Sequence, residues 1–380
     1  MPWKEESVMS QRTRFVVLAK QGTKTITQLC QEFGISRKSG YKWIQRARDE
    51  GIVNGVKEKS RRPKNIARKT AVKTEERIVQ LRQKYPYWGA RKLIKIYNKK
   101  HRERAPSERT VNRIIERNGL LREENRLDVA TKRFERDAPN DLWQIDYKGE
   151  FNLRDCPRKC YPLTILDDHS RYNLCLDAHD RISWVKTKES LAKSFCHYGM
   201  PLELLMDRGS AWYSSHGKYT HWTRLTVWLM LLGIKIIYSG IRHPQTQGKI
   251  ERYHKTLKYD LIRRNSFRTF SETQERFNAF RYEYNNIRPH ESLEMKTPAS
   301  RYVASERKYT GKVPDVDYPE GALVKKLNQC GVIHYKGVQW FISEALPGQN
   351  VMLVEKDPEV EVYFVNTLVK ILNLKEKIAY

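Results

Sequence analysis

Trp143-Gln144-Ile145-Asp146-Tyr147 is an apolar, strand-like run broken by a single carboxylate. Two more acids sit in comparable settings downstream. Asp207 follows Leu202-Glu203-Leu204-Leu205-Met206 and precedes Arg208-Gly209-Ser210. Glu251 opens Glu251-Arg252-Tyr253-His254-Lys255, a helical segment after the loop His243-Pro244-Gln245-Thr246-Gln247-Gly248. A carboxylate within or at the end of an apolar strand costs desolvation energy unless something cationic neutralises it. Three such acids, far apart in sequence and each on a rigid element, suit a divalent-metal site assembled by folding. Mg²⁺ takes oxygen ligands at about 2.0–2.1 Å and keeps several waters, so a few carboxylates plus substrate phosphate suffice. Two such ions about 3.5–4 Å apart activate the attacking oxygen and stabilise the leaving oxygen of a phosphodiester.

Four further blocks follow Asp146 in order: Leu166-Asp167-Asp168-His169-Ser170-Arg171-Tyr172, Asp207-Arg208-Gly209-Ser210, His243 through Arg252, and Tyr284-Asn285-Asn286-Ile287-Arg288-Pro289-His290. On these blocks the span resembles the DDE transposase and retroviral integrase superfamily, and within it the integrase-type transposases of bacterial insertion sequences. The resemblance implies a ribonuclease H-like α/β core in which Asp146 and Asp207 hold the ions and Glu251 completes the site. It implies Mg²⁺ as cofactor, with Mn²⁺ as a substitute and two ions per active site. The implied substrates are double-stranded DNA at the element ends and the target. A homo-oligomer, dimer or higher, is implied because two ends must be joined. Lys255 and Lys258 share a helix face with Glu251 by the three-to-four-residue rule, opposite the apolar stripe Ile250, Tyr253, Leu257 and Leu261. The same acid–lysine–lysine spacing occurs in retroviral integrases, where the lysines contact the viral DNA end. The plainer account of Glu251 and Lys255 is an intrahelical pair worth ~0.2–0.5 kcal/mol.

Other acids fit the site less well. Asp167 and Asp168 lie at a strand end, where hydrogen bonds and ion pairs with neighbours account for them. Glu203 alternates with apolar residues and is expected to face outward, and Asp260 lies beyond the relevant helical turn. His243 and His254 are near the site, but a hard cation favours oxygen over imidazole.

Composition agrees with a polyanionic partner. The 380-residue chain carries 72 Lys and Arg against 44 Asp and Glu, a net charge of +28, which points to nucleic acid before membrane. The first 140 residues hold 36 basic and 16 acidic residues, so most of the excess lies there. No apolar run approaches the ~20 residues of a membrane span, and Met1-Pro2-Trp3-Lys4-Glu5-Glu6 lacks a signal-peptide core. The expected location is the bacterial cytoplasm, in association with the nucleoid. Six scattered cysteines read as thiols in a reducing compartment, Cys156 and Cys160 lacking the second half of a zinc site. The first histidine is His101, so the N-terminal His/His/Cys/Cys module of retroviral integrases is absent.

The N-terminal third reads as all-α. Thr25 and Gln28 have capping-box spacing, opening a short helix through Leu29 and Phe33. Gly34 breaks it, and Ser36 caps a second helix from Arg37 to about Arg48, with Tyr41 and Ile44 expected to face inward. Helix, glycine-containing turn and helix form a helix-turn-helix pattern, and Arg37, Lys38 and Lys42 stand where recognition helices meet DNA. A second unit follows, with Ile78 and Leu81, then Tyr87 through Ile96, then a helix from Pro106-Ser107 bearing Val111, Ile114 and Ile115 and ended by Gly119. Arg91, Lys92, Arg109 and Arg113 are its DNA-binding candidates. The expected organisation is a helix-turn-helix domain over 1–56, a basic linker over 57–73, and a second helix-turn-helix domain over 74–121. A linker over 122–138, an integrase core over 139–304 and a small C-terminal β-barrel-like domain over 305–380 complete it. Within the core, 43 residues separate Asp207 from Glu251, more than in many members of the resembling family, with the surplus in Tyr213–Thr223.

The predicted function is therefore a DNA transposase that binds its element's ends, cleaves strands and joins 3′ ends to target DNA by metal-dependent phosphoryl transfer. The residues leave two rivals: a DNA-binding regulator with an inactive nuclease-like domain, and a metal-dependent nuclease without strand transfer.

Overall fold

The structure, a computed structural model, describes residues 8–59, 70–121, 135–214, 221–239 and 248–375. The chain divides into two compact units before Thr70.

The first unit holds α1 (Val8–Gln21), α2 (Ile26–Glu32), α3 (Arg37–Glu50) and the single turn α4 (Ile52–Gly55). The capping box is present: the Thr25 side chain accepts from Gln28 N, and the Gln28 side chain accepts from Thr25 N. Ser36 caps α3 by accepting from Ser39 N. The inward face of α3 differs from expectation. Gly40, Trp43 and Ala47 are buried, whereas Tyr41 is 49% exposed and Ile44 half-buried. The cause is Gly40. A Cβ there would stand 2.5 Å from Cys30 Sγ and 3.0 Å from Phe15 Cζ, so only glycine lets α3 approach α1 and α2 this closely. That contact sets the helix rotation, and residues three and seven positions on share its face. Helix α1, unforeseen from the sequence, supplies Phe15 and Val16 to this core.

The second unit begins with α5 (Val72–Lys84), α6 (Ala90–Lys100) and α7 (Glu108–Arg117). Ser107 caps α7, and Gly119 turns the chain away with a positive φ of 67°. These helices bury Ile78, Trp88, Leu93, Tyr97 and Ile114 together.

The α/β core follows. Its strands are β1 (Leu142–Tyr147), β2 (Tyr161–Asp167), β3 (Asn173–His179), β4 (Glu203–Met206) and β5 (Lys235–Tyr238). Its helices are α8 (Trp184–Tyr198), α9 (Arg224–Leu231), α10 (Gly248–Asp260) and α11 (Phe270–Asn286). The sheet order is β3-β2-β1-β4-β5. β1, β2 and β3 pair antiparallel; β1–β4 and β4–β5 pair parallel. This is the ribonuclease H-like arrangement. Because strand side chains alternate between faces, Trp143, Ile145, Leu163 and Ile165 pack toward α8 and α9. Gln144, Asp146, Thr164 and Leu166 therefore face the other layer, where Tyr253 and Leu257 of α10 and Phe277 and Phe280 of α11 pack.

The C-terminal strands are β6 (Leu323–Lys326), β7 (Val332–Tyr335), β8 (Val338–Phe341), β9 (Asn350–Lys356), β10 (Glu359–Phe364) and β11 (Thr367–Asn373). They form an antiparallel four-stranded sheet, β11-β10-β9-β6, and a hairpin of β7 and β8. Their shared core includes Val227 and Met230 of α9. Helix α9 is thus buried on both sides, by the central sheet and by the C-terminal strands. Among the described residues no helix is long and apolar enough to cross a membrane.

Met230 is 2% exposed in that second core. Met230→Ala is expected to cost about 2–5 kcal/mol, the range for emptying a buried Met site. Urea unfolding followed by fluorescence measures it; a loss below about 0.5 kcal/mol would mean that the C-terminal strands do not depend on α9.

Candidate active site and nucleic-acid interface

The register of β1 against β4 decides where the first two acids lie. Leu142 pairs with Glu203, Trp143 with Leu204 and Gln144 with Leu205. The same offset carried along the strands brings Asp207 abreast of Asp146, at the carboxyl ends of adjacent parallel strands spaced about 4.8 Å apart. Glu251 projects from the first turn of α10, the helix packed over this face of the sheet.

Asp146 senses the other two acids. Burial first, then Asp207, and to a smaller extent Glu251, push the Asp146 carboxyl up to about 7; a backbone hydrogen bond from Tyr147 opposes the shift. Asp207 is held by its surroundings: its Oδ1 accepts from Gly209 N at 2.8 Å and from Trp212 Nε1 at 2.8 Å. Glu251 is exposed. Among the described residues, no three carboxylate, imidazole or thiol groups converge closely enough to hold one ion as they lie.

His254 lies beside Asp146, with Nδ1 3.6 Å from Oδ2. Burial, then Lys148, pushes its pKa down to about 3, so the ring is neutral and the contact is no ion pair. The Thr164 hydroxyl donates to the Asp146 carbonyl at 2.9 Å and lies 2.7 Å from His254 Nε2. With that hydroxyl proton engaged, Nε2–H donates to Thr164 Oγ1 and the Nδ1 lone pair faces Asp146. Lone pair and carboxylate oxygen facing each other suit a proton or a cation on Asp146. The carboxylate oxygens of Asp146, Asp207 and Glu251 are donors of the kind a hard divalent cation takes.

The remaining candidates are distributed as follows. Lys255 is half-buried and Lys258 exposed on α10. Lys148, two residues past Asp146 on β1's line, is near enough to Lys258 for that charge to lower its pKa, after burial. Arg37, Lys38 and Lys42 are exposed on α3, and Lys42 Nζ sits 4.6 Å from the Trp43 ring centroid. Arg109 and Arg113 are exposed on α7. Arg91 pairs with Glu108 at 3.1 Å. Lys92 is half-buried, its pKa pushed down to about 8 by burial and then by Arg288.

Asp167 and Asp168 are occupied by hydrogen bonds and an ion pair, as expected of their strand-end position. Asp167 accepts from Asn140 N at 2.8 Å and from Ser170 N at 2.7 Å. Asp168 pairs with Lys249. Asp260 pairs with Arg288 in a buried bridge. Glu203 is less outward than anticipated: it is half-buried and paired with Arg136 and Lys235. Cys160 is buried in the α10–α11 layer, its thiol pushed up to about 12, and Cys156 is free. His243, the loop before Gly248, and part of the surplus over Tyr213–Thr223 lie outside the described residues. Sequence reading passed over Gln144, Lys148 and Thr164 beside Asp146. The period-two alternation of Gln144 and Asp146 along β1, continued by Lys148 just beyond its end, was the available signal.

Models of the integrase core domain match residues 136–244 and 232–298. These matches fall on the α/β core. Ahead of that core, a helix-turn-helix domain model matches residues 11–64 and a homeodomain-like domain model residues 39–115. Two similar curated proteins come from bacterial insertion elements. One is an uncharacterized 39.2 kDa protein of element IS476 from Xanthomonas euvesicatoria, 24% identical over 230 residues, covering 60% of this chain and 59% of that one. The other is an uncharacterized 31.7 kDa protein of element IS407 from Burkholderia multivorans, 25% identical over 199 residues, covering 52% and 65%. The chain thus spans about three fifths of the length of these relatives. Integrase-core models and helix-turn-helix models thus match successive stretches of this chain, and these two relatives are insertion-element proteins. Among solved structures, the HTLV-2 integrase catalytic core domain in complex with magnesium is similar at 17% identity and a TM-score of 0.33, over 43% of this chain and 97% of that one. A simian T-cell lymphotropic virus intasome in complex with a PP2A regulatory subunit is similar at 14% identity and a TM-score of 0.38, over 78% and 99%.

The raised Asp146 pKa gives the integrase core a pH signature. Without divalent ions, the folded state keeps a proton on Asp146 that the unfolded chain releases near pH 4 (about 3.9). Stability should therefore fall as pH rises from about 4 to about 7, and Asp146→Asn should flatten that part of the slope. Chemical denaturation at pH 5 and pH 7 in chelator checks it; an identical slope in the variant would contradict the assignment.

Proposed function

We propose that this protein is a DNA transposase: it binds the ends of its mobile element, cleaves a strand at each end to expose a 3′-hydroxyl, and joins that hydroxyl to target DNA. In joining, the 3′-oxygen forms a new bond to a target phosphorus as the P–O3′ bond there breaks, and the departing oxygen takes up a proton. No covalent link to the protein is needed. The observation that carries this reading is the alignment of Asp146 with Asp207 across β1 and β4, with Glu251 presented from α10.

Asp146, Asp207 and Glu251 are the proposed ligands, for Mg²⁺ or Mn²⁺ and for two ions per site. Such ions would supply charge neutralisation and polarisation of the phosphodiester. Because the three carboxylates do not converge as they lie, holding ions requires Asp207 or Glu251 to turn toward Asp146. The protein's own share is positioning and electrostatics. Lys148, Lys255 and Lys258 supply positive charge along the edge of the site, where the scissile strand's phosphates would lie. Exposed Arg37, Lys38 and Lys42 on α3, and Arg109 and Arg113 on α7, are the proposed contacts to element-end DNA. Arg91 and Lys92 are weaker members of this set, one paired with Glu108 and the other half-buried. A dimer or larger assembly follows from the need to bring two ends together.

Asp146→Asn, Asp207→Asn and Glu251→Gln each keep side-chain size and remove a negative ligand. Each should reduce cleavage and joining of labelled element ends in Mg²⁺ by about 100-fold or more, roughly 2.7 kcal/mol, with end binding within about twofold of the parent protein. Lys255→Ala combined with Lys258→Ala should weaken joining at limiting DNA and leave the melting temperature unchanged. Cleavage at the parental rate in any of the three acid variants would remove that residue from the site.

A further inference from the structure

We infer that Gln144, Asp168 and Lys249 form a positioning network that sets the rotation of α10 and so the place from which Glu251 can reach Asp146 and Asp207. The inference rests on the metal-site reading above and adds three residues that touch neither substrate nor ion.

Asp168 is the hub. It is 0% exposed, at the end of β2. Lys249 Nζ donates to Asp168 Oδ2 at 2.5 Å and to the Asp168 carbonyl at 3.1 Å. Gln144 Nε2 donates to Asp168 Oδ1 at 2.8 Å, and Arg136 N donates to Oδ2 at 2.8 Å. Gln144, also 0% exposed, turns its other atom to the helix: its Oε1 accepts from Ile250 N at 3.3 Å.

The position of these contacts gives them their effect. The first four N–H groups of a helix have no partner within it, and Ile250 N belongs to the first turn of α10. Gln144 therefore caps α10 from a neighbouring strand. It sits two residues before Asp146, on the same face of β1. A single side chain thus ties the strand bearing one carboxylate to the helix bearing another. Lys249 fixes a second direction. Successive helical residues point about 100° apart, so anchoring residue 249 through its side chain and residue 250 through its backbone determines where residue 251 points. A general hydrophobic contact from Ile250 would allow the helix to roll; two directional bonds in a dry setting do not. The buried pair needs this full set of partners, because a desolvated carboxylate is stable only when paired and hydrogen-bonded.

The test is divalent-ion affinity of the full chain, measured by calorimetric titration with Mn²⁺ without DNA. The double variant Asp168→Asn with Lys249→Met removes both charges together and leaves no buried ion alone. Its Mn²⁺ affinity should fall about 10–100-fold, the usual effect of losing a group that orients a metal ligand, at an unchanged far-UV spectrum. Lys249→Arg, which keeps a cation within reach of Asp168, should stay within about threefold of the parent. Gln144→Met leaves the ion pair standing and should also weaken binding; it carries the test if the double variant does not fold. Parental affinity in a folded double variant and in Gln144→Met overturns this inference and leaves the site reading intact. Equal affinity of the parent and Glu251→Gln overturns the site reading together with the inference that rests on it.

Discussion

The parallel pairing of β1 with β4 is the constraint on which the rest of the site depends. It is set by apolar burial: Trp143, Ile145, Leu204 and Met206 are all 0% exposed within one core. Because side chains alternate along a strand, a slip of one residue would turn this set to the wrong face. The same register that buries the apolar set brings Asp207 abreast of Asp146. The fold therefore concentrates negative charge in a place that hydrophobic packing alone would leave neutral. The raised proton affinity of Asp146 expresses that cost, and the neutral His254 beside it does not relieve it.

Around this pair the two helical layers have different parts. Helices α8 and α9 hold the sheet from one side, and α9 is gripped in turn by the C-terminal strands through Val227 and Met230. On the other side α10 is packed by Ile250, Tyr253 and Leu257, all buried, which leaves the turn bearing Glu251 toward the sheet's carboxyl ends. The segment after α11 closes the structure: Arg288 pairs with Asp260 and lies 5.4 Å from the Trp88 ring centroid, while Ile287 joins the apolar core of α5 to α7. The helical unit ahead of the core is thereby seated on the same helix that presents Glu251.

Much of this was legible in the sequence because burial writes a periodic pattern. The helix from Arg37, the helix from Pro106-Ser107 and the helical segment opening at Glu251 follow from capping residues and from apolar residues at spacings of three to four. The apolar stripe of α10 was readable for the same reason. What escaped was set by contacts between distant residues. The rotation of α3 depends on Gly40 meeting Cys30 and Phe15 across the unit, which no local spacing records, so Tyr41 was placed inward in error. Helix α1 escaped because only Phe15 and Val16 of its residues are buried, too few to make a stripe. In the site, the three acids announce themselves as charges in apolar surroundings. Gln144 and Lys249 do not, since an amide in a strand and a lysine at a helix start are unremarkable until Asp168 is seen between them.

The account stands on the claim that Asp146, Asp207 and Glu251 share a cation. The most direct measurement is anomalous diffraction from crystals of the full chain soaked with Mn²⁺. The account predicts a peak bonded to carboxylate oxygens of Asp146 and Asp207, with Glu251 turned in from α10 to the same ion or to a second one about 3.5–4 Å away. Peaks only elsewhere, with Asp207 still bound to Gly209 N and Trp212 and Glu251 still in solvent, would contradict it.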